Sequence, residues 1–349
     1  MSSLLNEGRL ETILRRSLSI PAILLGLAAS LTLLPFALVV LPIVDVVRDA
    51  RDGSLRDLRW LTLRAAAFGL VYLLCETFGI VSSLLIWLVT GFGQARKSFL
   101  HWNFLLQVRW GGALKAAAMV LWGMRERVEG LDEIGKGPML VFIRHSSLAD
   151  TVLPVSYLSD RLGIRLRWVL KRPLLWDPCL DIVGNRLPNC FVARGTQAGE
   201  KEALKIGALA QGLEVEEGVL IYPEGTRFTE AKRTRFIERL EAAGNTAHAE
   251  RARRLKHTLL PQVGGALALL AASDGAQPPV DTVFCSHYGF EGATSVQGLL
   301  AGEILHQTFG TRFWKVDREN IPEDEPSRIE WLFDEWERVE RWVTDSVAL

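Results

Sequence analysis

The sequence lacks the cysteine pattern of a disulfide-stapled or zinc-binding protein. Its four cysteines, Cys75, Cys179, Cys190 and Cys285, are far apart and form no CxxC pair. Disulfide frameworks and cysteine–zinc sites need closer, paired spacings. The six histidines are also dispersed. We therefore predict no metal site, and reduced thiols facing the cytosol are the default.

A net charge is also missing, because 40 Lys and Arg balance 40 Asp and Glu. Nucleic-acid binding needs a basic excess to neutralise phosphates, so it is disfavoured as the main function. No GxSxG motif stands at a strand-to-helix turn, which disfavours a serine hydrolase. Residues 96–172 do carry a local basic excess, which suits an anionic membrane surface. The alternative is an ordinary solvated face.

Long uncharged runs dominate the first quarter of the chain. Residues 17–44 contain no charge, and only Glu76 interrupts residues 65–95. A bilayer core takes about 20 residues, whereas the apolar part of a signal peptide reaches only about 15. We therefore predict a retained N-terminal membrane hairpin of two helices over residues 1–96.

Two alternatives to a spanning hairpin remain open. Prolines inside the first run favour a kinked or broken helix, and a broken hairpin can lie in one leaflet. Both helices could instead be buried in a soluble protein. The three prolines are Pro21, Pro35 and Pro42.

Residues 97–124 form a third apolar stretch, in which tryptophans alternate with Arg109 and Lys115. Tryptophans and long basic side chains favour the headgroup zone of a bilayer, so we predict an interfacial or linking helix. A helix facing the core of the soluble domain is the alternative.

Residues 125–349 change to short β-branched runs separated by charged helical segments. This alternation predicts an α/β domain, with a central mostly parallel or mixed sheet flanked by helices. Near the end, the spacing of apolar residues predicts an amphipathic C-terminal helix, with Ser327 as its N-cap. The predicted strands are 138–144, 165–171, 189–194, 218–225, 280–289 and 311–316, and the predicted helices are 147–162, 197–215 and 229–256.

His145 and Asp150 follow the first of these predicted strands, where α/β sheets place their sites. Their side chains can meet only if His145 lies in the turn before the helix and Asp150 in its first turns. A carboxylate on one imidazole nitrogen would leave the other nitrogen as a general base. The alternative is a helix-capping Ser/Asp segment with an incidental histidine.

Other short blocks follow later strands. Pro223-Glu224-Gly225-Thr226-Arg227 combines a tight turn with a carboxylate and an arginine, and arginine binds phosphate bidentately. Arg194 ends another predicted strand, and Leu260-Pro261 follows the charged helical stretch.

In this order, the four blocks resemble the glycerolipid acyltransferase family, whose best-known members are the 1-acylglycerol-3-phosphate acyltransferases. The resemblance covers roughly residues 120–270. The run PEGTRFT and the later LKHTLLP are most similar to the lysophosphatidate and lysocardiolipin acyltransferase branch.

The resemblance implies catalysis by His145 and Asp150 and substrate binding by the other blocks. A lysophospholipid, with 1-acyl-sn-glycerol 3-phosphate as the expected acceptor, would take an acyl group from acyl-CoA or acyl-carrier protein, with no cofactor. Arg194 and Arg227 would bind the phosphate of the lysolipid. A cytosolic donor would place the domain on the cytoplasmic side of the membrane, which is the inner membrane in a bacterium. The implied substrate-binding residues are Arg194, Glu224, Gly225, Thr226, Arg227 and Pro261.

Some positions depart from the family pattern. Arg144 stands where asparagine usually precedes the histidine, and Val192-Ala193 replaces Ile-Asp. Leu148-Ala149 replaces the usual tryptophan, and Gln262 begins a segment that lacks the usual basic residue. These changes bear on the acceptor headgroup. A CoA-independent transacylase, an enzyme for another lysolipid headgroup and a non-enzymatic membrane scaffold are the alternatives, and the oligomeric state is not indicated.

Overall fold

The computed structural model describes residues 8–53, 57–147, 149–193, 199–291 and 296–348. Three long helices come first: α1 (Arg9–Arg51), α2 (Leu61–Val89) and α3 (Arg96–Trp122). All three are long and apolar enough to cross a membrane, judged by length and composition.

The prolines of α1 do not end the helix, which runs through all three of them. Each proline removes one backbone N–H donor, a loss that a long helix tolerates. At the far end of α1, the buried Asp45 accepts hydrogen bonds from the backbone N–H groups of Thr62 and Leu63, both at 2.9 Å. These are unpaired donors of the first turn of α2, where the helix dipole also favours an anion. The carboxylate therefore fixes the start of α2 against α1.

In the part of the remaining chain that the structure describes, the strands form one seven-stranded sheet. Its strands lie in the order β1-β7-β6-β2-β5-β3-β4. Only the β6–β7 pair is antiparallel, and every other pair is parallel. The predicted α/β class with a mostly parallel or mixed sheet is confirmed. The strands are β1 (Arg125–Glu129), β2 (Met139–Ile143), β3 (Arg165–Lys171), β4 (Cys190–Val192), β5 (Glu217–Ile221), β6 (Asp281–Tyr288) and β7 (Thr308–Val316).

Helices flank this sheet. The predicted C-terminal amphipathic helix is present, with its N-cap at Asp324 rather than Ser327, because the Asp324 side chain accepts from the Ser327 N–H. The helices are α4 (Pro178–Gly184), α5 (Gly199–Gly207), α6 (Glu230–Ala242), α7 (Thr246–Arg254), α8 (Val263–Ala272), α9 (Val296–Ala301) and α10 (Glu325–Val347).

Three local predictions differ from the structure. Strand β1 was not predicted, because Arg125–Glu129 has charges at four of five positions and lies at the sheet edge. The predicted helix 147–162 is a 3₁₀ turn, Ala149–Val152, followed by a π-helical turn, Val155–Arg161. The predicted helix 229–256 is two helices, α6 and α7, divided at Gly244, whose φ is +72°.

The two faces of the sheet bury separate cores. Along β2, Val141 and Ile143 pack towards α3, whereas Leu140 and Phe142 pack towards α8 and α10. This follows from the two-residue repeat of a strand buried on both faces. Helix α3 packs closely against Val155 at Gly111, where an added Cβ would lie 2.9 Å from a methyl carbon of Val155. Helix α3 therefore covers one face of the sheet, and α8 and α10 cover the other.

Both ends of α1 contact the α/β domain. Near its start, Arg15 and Arg16 donate to the buried carboxylate of Asp181 in α4 at 3.0 and 2.9 Å. Near its end, Arg48 donates to the carbonyl of Leu300 in α9 at 2.5 Å. The helix between these contacts is about 50 Å long, so it lies along the domain.

We expect α10 to be essential for stability. Trp336 is fully buried in the core beneath it, and Trp336→Ala should lower the free energy of unfolding by about 3–5 kcal/mol. Denaturant unfolding in detergent measures this loss. Arg341→Ala, an exposed change on the same helix, is the control and should shift stability by less than about 0.5 kcal/mol.

Candidate active site

His145 and Asp150 meet at the carboxyl end of β2. The imidazole Nδ1 lies 3.1 and 3.2 Å from the two carboxylate oxygens of Asp150. Asp150 is fully buried, whereas the side chain of His145 is 12% exposed. The ring of Tyr222 packs against the imidazole, with ring centroids 4.5 Å apart. One imidazole nitrogen is thus held by a carboxylate, and the ring is fixed by packing.

The same carboxylate also caps the turn, so the segment combines the His145–Asp150 contact with the capping arrangement that was the alternative interpretation. Oδ2 of Asp150 accepts from the backbone N–H groups of Ser146 and Ser147 at 2.7 and 2.8 Å. Oγ of Ser147 accepts in return from the Ala149 and Asp150 N–H groups. Such side-chain acceptors satisfy donors that a tight turn leaves open. The turn between β2 and the 3₁₀ segment therefore brings the pair together.

The surroundings of Asp150 favour its charged form. Burial alone would raise its pKa, but the hydrogen bonds that Asp150 accepts from His145 and from the Ser147 N–H hold the pKa below its usual value. An ionised Asp150 accepts, so Nδ1 of His145 carries the proton. The Nε2 lone pair is then the available base.

Glu224 connects the His145 turn to the later blocks. Its Oε1 accepts from the backbone N–H of His145 at 2.7 Å, and its Oε2 accepts from the Leu259 N–H at 2.8 Å. Burial raises the pKa of the carboxyl to about 8, opposed by these two donors and by Arg144. The Glu224 carboxyl group thus holds the His145 turn to the 259–262 segment.

The tight turn predicted at Gly225 is present. Gly225 donates from its N–H to the Tyr222 carbonyl, and its φ is +66°. A Cβ there would meet the side-chain amide of Gln262 at 2.7 Å. Glycine is therefore required both by the left-handed backbone and by the close approach.

The other predicted site residues differ in their burial and in whether the structure describes them. Thr226 and Arg227 are half-buried beside Glu224, and Pro261 is buried below the turn, where the Gln262 N–H donates to the Pro223 carbonyl. Arg194 lies outside the described residues. His145, Asp150, Glu224 and the Gly225 turn are thus brought together, with Pro261 as a support.

Arg144 is a central residue whose position the sequence does not reveal. Its side chain is fully buried and donates to the carbonyl of His257 at 2.9 Å, to the carbonyl of His287, and to Glu291 at 3.0 Å. The sequence marks Arg144 only as a departure from the family pattern. Its guanidinium joins β2, the end of β6 and the segment before Leu259.

His287 is a second buried neighbour of Asp150. Its Nε2 donates to the Arg144 carbonyl at 2.8 Å and lies 3.6 Å from Oδ2 of Asp150. Burial lowers the pKa of His287 to about 4, so the ring is neutral. It lies within a predicted strand with no sequence signal of a site, because only the register of β6 brings it to Asp150.

A carboxylate from α10 organises the segment that Arg144 reaches. The buried Glu340 accepts from the backbone N–H groups of Lys256 and His257 at 2.7 and 3.0 Å, and from the Thr258 hydroxyl at 2.8 Å. Backbone donors of a loop need such partners when they are buried. The C-terminal helix therefore supports the candidate site from outside it.

The fold and this site define an α/β protein with a carboxylate-held imidazole at the carboxyl edge of its sheet. Comparison with known proteins extends that description. The family described as Acyltransferase matches residues 125–280. The chain is similar to mouse 1-acyl-sn-glycerol-3-phosphate acyltransferase epsilon, 23% identical over 60% of this chain and 58% of that protein. It is also 26% identical to the mouse delta enzyme over 57% of this chain and 50% of that protein.

A solved structure shares the fold. The crystal structure of the 1-acyl-sn-glycerophosphate acyltransferase PlsC from Thermotoga maritima aligns with a TM-score of 0.54 and 16% identity, over 83% of this chain and 98% of that one. The chain spans between half and three fifths of the length of the curated mouse relatives. Together these matches support the glycerolipid acyltransferase family for this chain.

We expect Arg144 to hold the site together. Arg144→Ala leaves two buried carbonyls without their donor and should lower the free energy of unfolding by about 2–4 kcal/mol. Arg312→Ala, an exposed arginine on β7, is the matched control. Equal unfolding midpoints for the two variants would contradict this role.

Proposed function

We propose that the protein transfers a fatty acyl group from a thioester to the free hydroxyl of a lysophospholipid, with His145 as general base. The single observation that carries this proposal is the His145–Asp150 pair at the sheet edge. The match of residues 125–280 to the Acyltransferase family supports it, as do the names of the mouse relatives, which are acyltransferases of 1-acyl-sn-glycerol 3-phosphate. That lysolipid is the acceptor we propose.

The proposed reaction uses the imidazole twice. Nε2 of His145 takes the proton of the acceptor hydroxyl while that oxygen attacks the thioester carbonyl carbon. The tetrahedral intermediate then expels the thiolate, which recovers the proton from the imidazolium. Asp150 stabilises the imidazolium between these steps without taking its proton. An ester forms and a thioester breaks, so no acyl-enzyme is required.

Glu224 serves this mechanism best as a positioning residue. Both of its oxygens bind backbone N–H groups, one of them that of His145. It therefore fixes the position of the histidine turn at the carboxyl end of the sheet. In the proposed site, Arg227 and Arg194 bind the phosphate of the lysolipid and Thr226 lies between that phosphate and Glu224.

An apolar cavity next to the pair supports an acyl substrate. It has a volume of about 370 Å³ and lies between α3 and the sheet, within the size range of small-molecule sites. Trp110, Leu114 and Phe290 line it, and it reaches Ala149 and Thr151, the two neighbours of Asp150 in the chain. A fatty chain in this cavity would hold its ester end near His145.

The mechanism predicts the behaviour of two site variants. His145→Ala removes the base and should lower kcat by at least about 10²–10⁴-fold. Asp150→Asn should cost a similar factor, because an amide cannot accept both from Nδ1–H and from the turn N–H groups. Initial rates with acyl-CoA and 1-acyl-sn-glycerol 3-phosphate measure both effects.

The controls separate catalysis from folding. Thermal unfolding in detergent should show that His145→Ala stays folded, because the ring is partly exposed and donates only to Asp150. Lys136→Ala, a change at an exposed position outside the site, should keep full activity. A folded His145→Ala protein with near-normal turnover would refute the general-base role.

We also propose that the N-terminal helices lie in one leaflet. A helix that spans the bilayer would have one of its ends on the side of the membrane opposite the α/β domain. Here Arg15 and Arg48, at opposite ends of α1, both bind the α/β domain. Helix α2 is held in the same way, since Tyr72 donates to Asp177 at 2.8 Å and Arg186 donates to the Ser83 carbonyl at 2.7 Å.

The outward surface of α1 supports the same arrangement. Large apolar side chains are exposed along most of its length, and such a surface suits the acyl region of one leaflet. A lysolipid could then enter the apolar cavity from the side. The exposed residues include Leu25, Leu33, Phe36, Val39 and Ile43.

Cysteine labelling tests this topology. In a Cys75→Ser background, we expect Gly8→Cys, Arg51→Cys and Glu303→Cys in sealed vesicles to react with a membrane-impermeant maleimide from the same side. All three positions are exposed, and Glu303 marks the side of the α/β domain. Labelling of Arg51→Cys only from the opposite side would show that α1 spans the bilayer.

A further inference from the structure

A pocket separate from the candidate site lies between the start of α1 and the turn that follows β3, and we call it the α1 pocket. Its volume is about 360 Å³, and its described wall residues all differ from those of the apolar cavity. One wall is the first turns of α1, and the other is the 3₁₀ segment Arg172–Trp176. Because β3 and β2 both run parallel to β5, this segment lies at the same edge of the sheet as His145.

The α1 pocket carries an excess of positive charge. Arg15, in one wall, and the adjacent Arg16 both pair with the single buried carboxylate of Asp181, at 3.0 and 2.9 Å. Arg172 lines the opposite wall and is exposed, and in the described chain Glu11 is the acidic residue of the lining. Three guanidinium groups thus stand against two carboxylates, which leaves an excess of one positive charge at this corner of the domain.

Apolar side chains form the rim of the α1 pocket. Leu14, Leu18 and Trp176 line it, and each is more than half exposed. The 3.6-residue repeat places both leucines on the same face of α1 as Leu25 and Phe36, which are exposed as well. A tryptophan beside arginines favours the boundary between lipid headgroups and acyl chains. The pocket therefore opens at the headgroup level of the leaflet that the proposed topology assigns to α1.

We propose that the α1 pocket binds the phosphate of an anionic diacyl phospholipid of the membrane, as a lipid site distinct from the substrate site. Guanidinium groups form bidentate hydrogen bonds with phosphate, and an anionic leaflet attracts a basic surface. Leu14, Leu18 and Trp176 contact the first carbons of the acyl chains of this lipid. The basic excess of residues 96–172 thus acquires a specific ligand at its last arginine, Arg172.

The bound phospholipid acts on the apolar cavity through a wall that the two sites share. Leu174, in the middle of the segment Arg172–Trp176, lines the apolar cavity, and so does Asp177, which follows the segment. Asp177 also accepts from the hydroxyl of Tyr72 in α2 at 2.8 Å. A phospholipid on the outer side of the segment therefore fixes this wall. An anionic surface should then raise the turnover of a lysolipid, a consequence that rests on the proposed acyl transfer.

Lipid titration of charge-reversed protein tests the site. In neutral detergent, calorimetry of the full chain should show binding of dihexanoyl-phosphatidylglycerol and weaker binding of dihexanoyl-phosphatidylcholine, whose choline offsets the phosphate charge. Arg172→Glu should weaken the phosphatidylglycerol affinity on the order of tenfold or more, because attraction to the phosphate becomes repulsion. Trp176→Ala, which removes apolar contact but no charge, should weaken it too. Arg109→Glu, the same charge change at an exposed arginine of α3, is the matched control and should retain the affinity.

Four results would overturn the assignment. Equal affinities of the wild type, Arg172→Glu and Trp176→Ala would show that the lipid binds elsewhere. Equal weakening by Arg172→Glu and Arg109→Glu would indicate a general effect of surface charge. Binding of glycerol 3-phosphate as tight as that of phosphatidylglycerol would assign the pocket to a free phosphate. A raised KM for 1-acyl-sn-glycerol 3-phosphate in detergent for Arg172→Glu would assign it to the acceptor.

Vesicle assays test the consequence for turnover. Initial rates of the wild type with acyl-CoA and 1-acyl-sn-glycerol 3-phosphate should rise as phosphatidylglycerol replaces phosphatidylcholine in the vesicles. Arg172→Glu should lose this rise and Arg109→Glu should keep it. An equal rise in Arg172→Glu would overturn the action on the apolar cavity. Absence of acyl transfer in all three proteins, with the calorimetric pattern intact, would refute the proposed reaction alone and retain the lipid site.

Discussion

The candidate site depends on the carboxylate of Asp150. One buried group accepts from the imidazole of His145 and from the backbone of Ser146 and Ser147. Charging a buried carboxylate is unfavourable unless several donors surround it, and here those donors are His145, the proposed base, and the turn that positions it. Folding of the turn and orientation of the base are therefore the same interaction, which is why the segment reads equally well as a helix cap and as a catalytic pair.

Two further buried carboxyl groups extend this hydrogen-bond network to neighbouring segments. Glu224 binds the His145 N–H and the Leu259 N–H, and Glu340 binds the loop that begins at Lys256. Arg144 closes the network by donating to the carbonyls of His257 and His287. The histidine turn, the Gly225 turn and α10 thus form one hydrogen-bonded unit, next to the apolar cavity between α3 and the sheet.

The sequence predicts the parts of this arrangement that have local signals. Each of these signals depends on residues that are close together in the chain. They are the uncharged run 17–44, the alternation of strands and helices, and the blocks around His145 and Glu224. Arg144 and His287 could not be found as site residues, since they become neighbours only through the register of β2 and β6. The division of 229–256 at Gly244 was missed because a charged helical pattern continues through it, and β1 was missed because an edge strand needs no apolar face.

The central claim is that this chain acylates a lysophospholipid from a thioester. The most direct measurement incubates purified wild-type protein with acyl-CoA and a panel of lysolipids that differ in headgroup, and identifies each product by mass. The account predicts a diacyl product whose added mass is that of the donor's acyl chain, formed best from 1-acyl-sn-glycerol 3-phosphate. No diacyl product from any lysolipid, or a product whose new chain comes from another phospholipid, would contradict it.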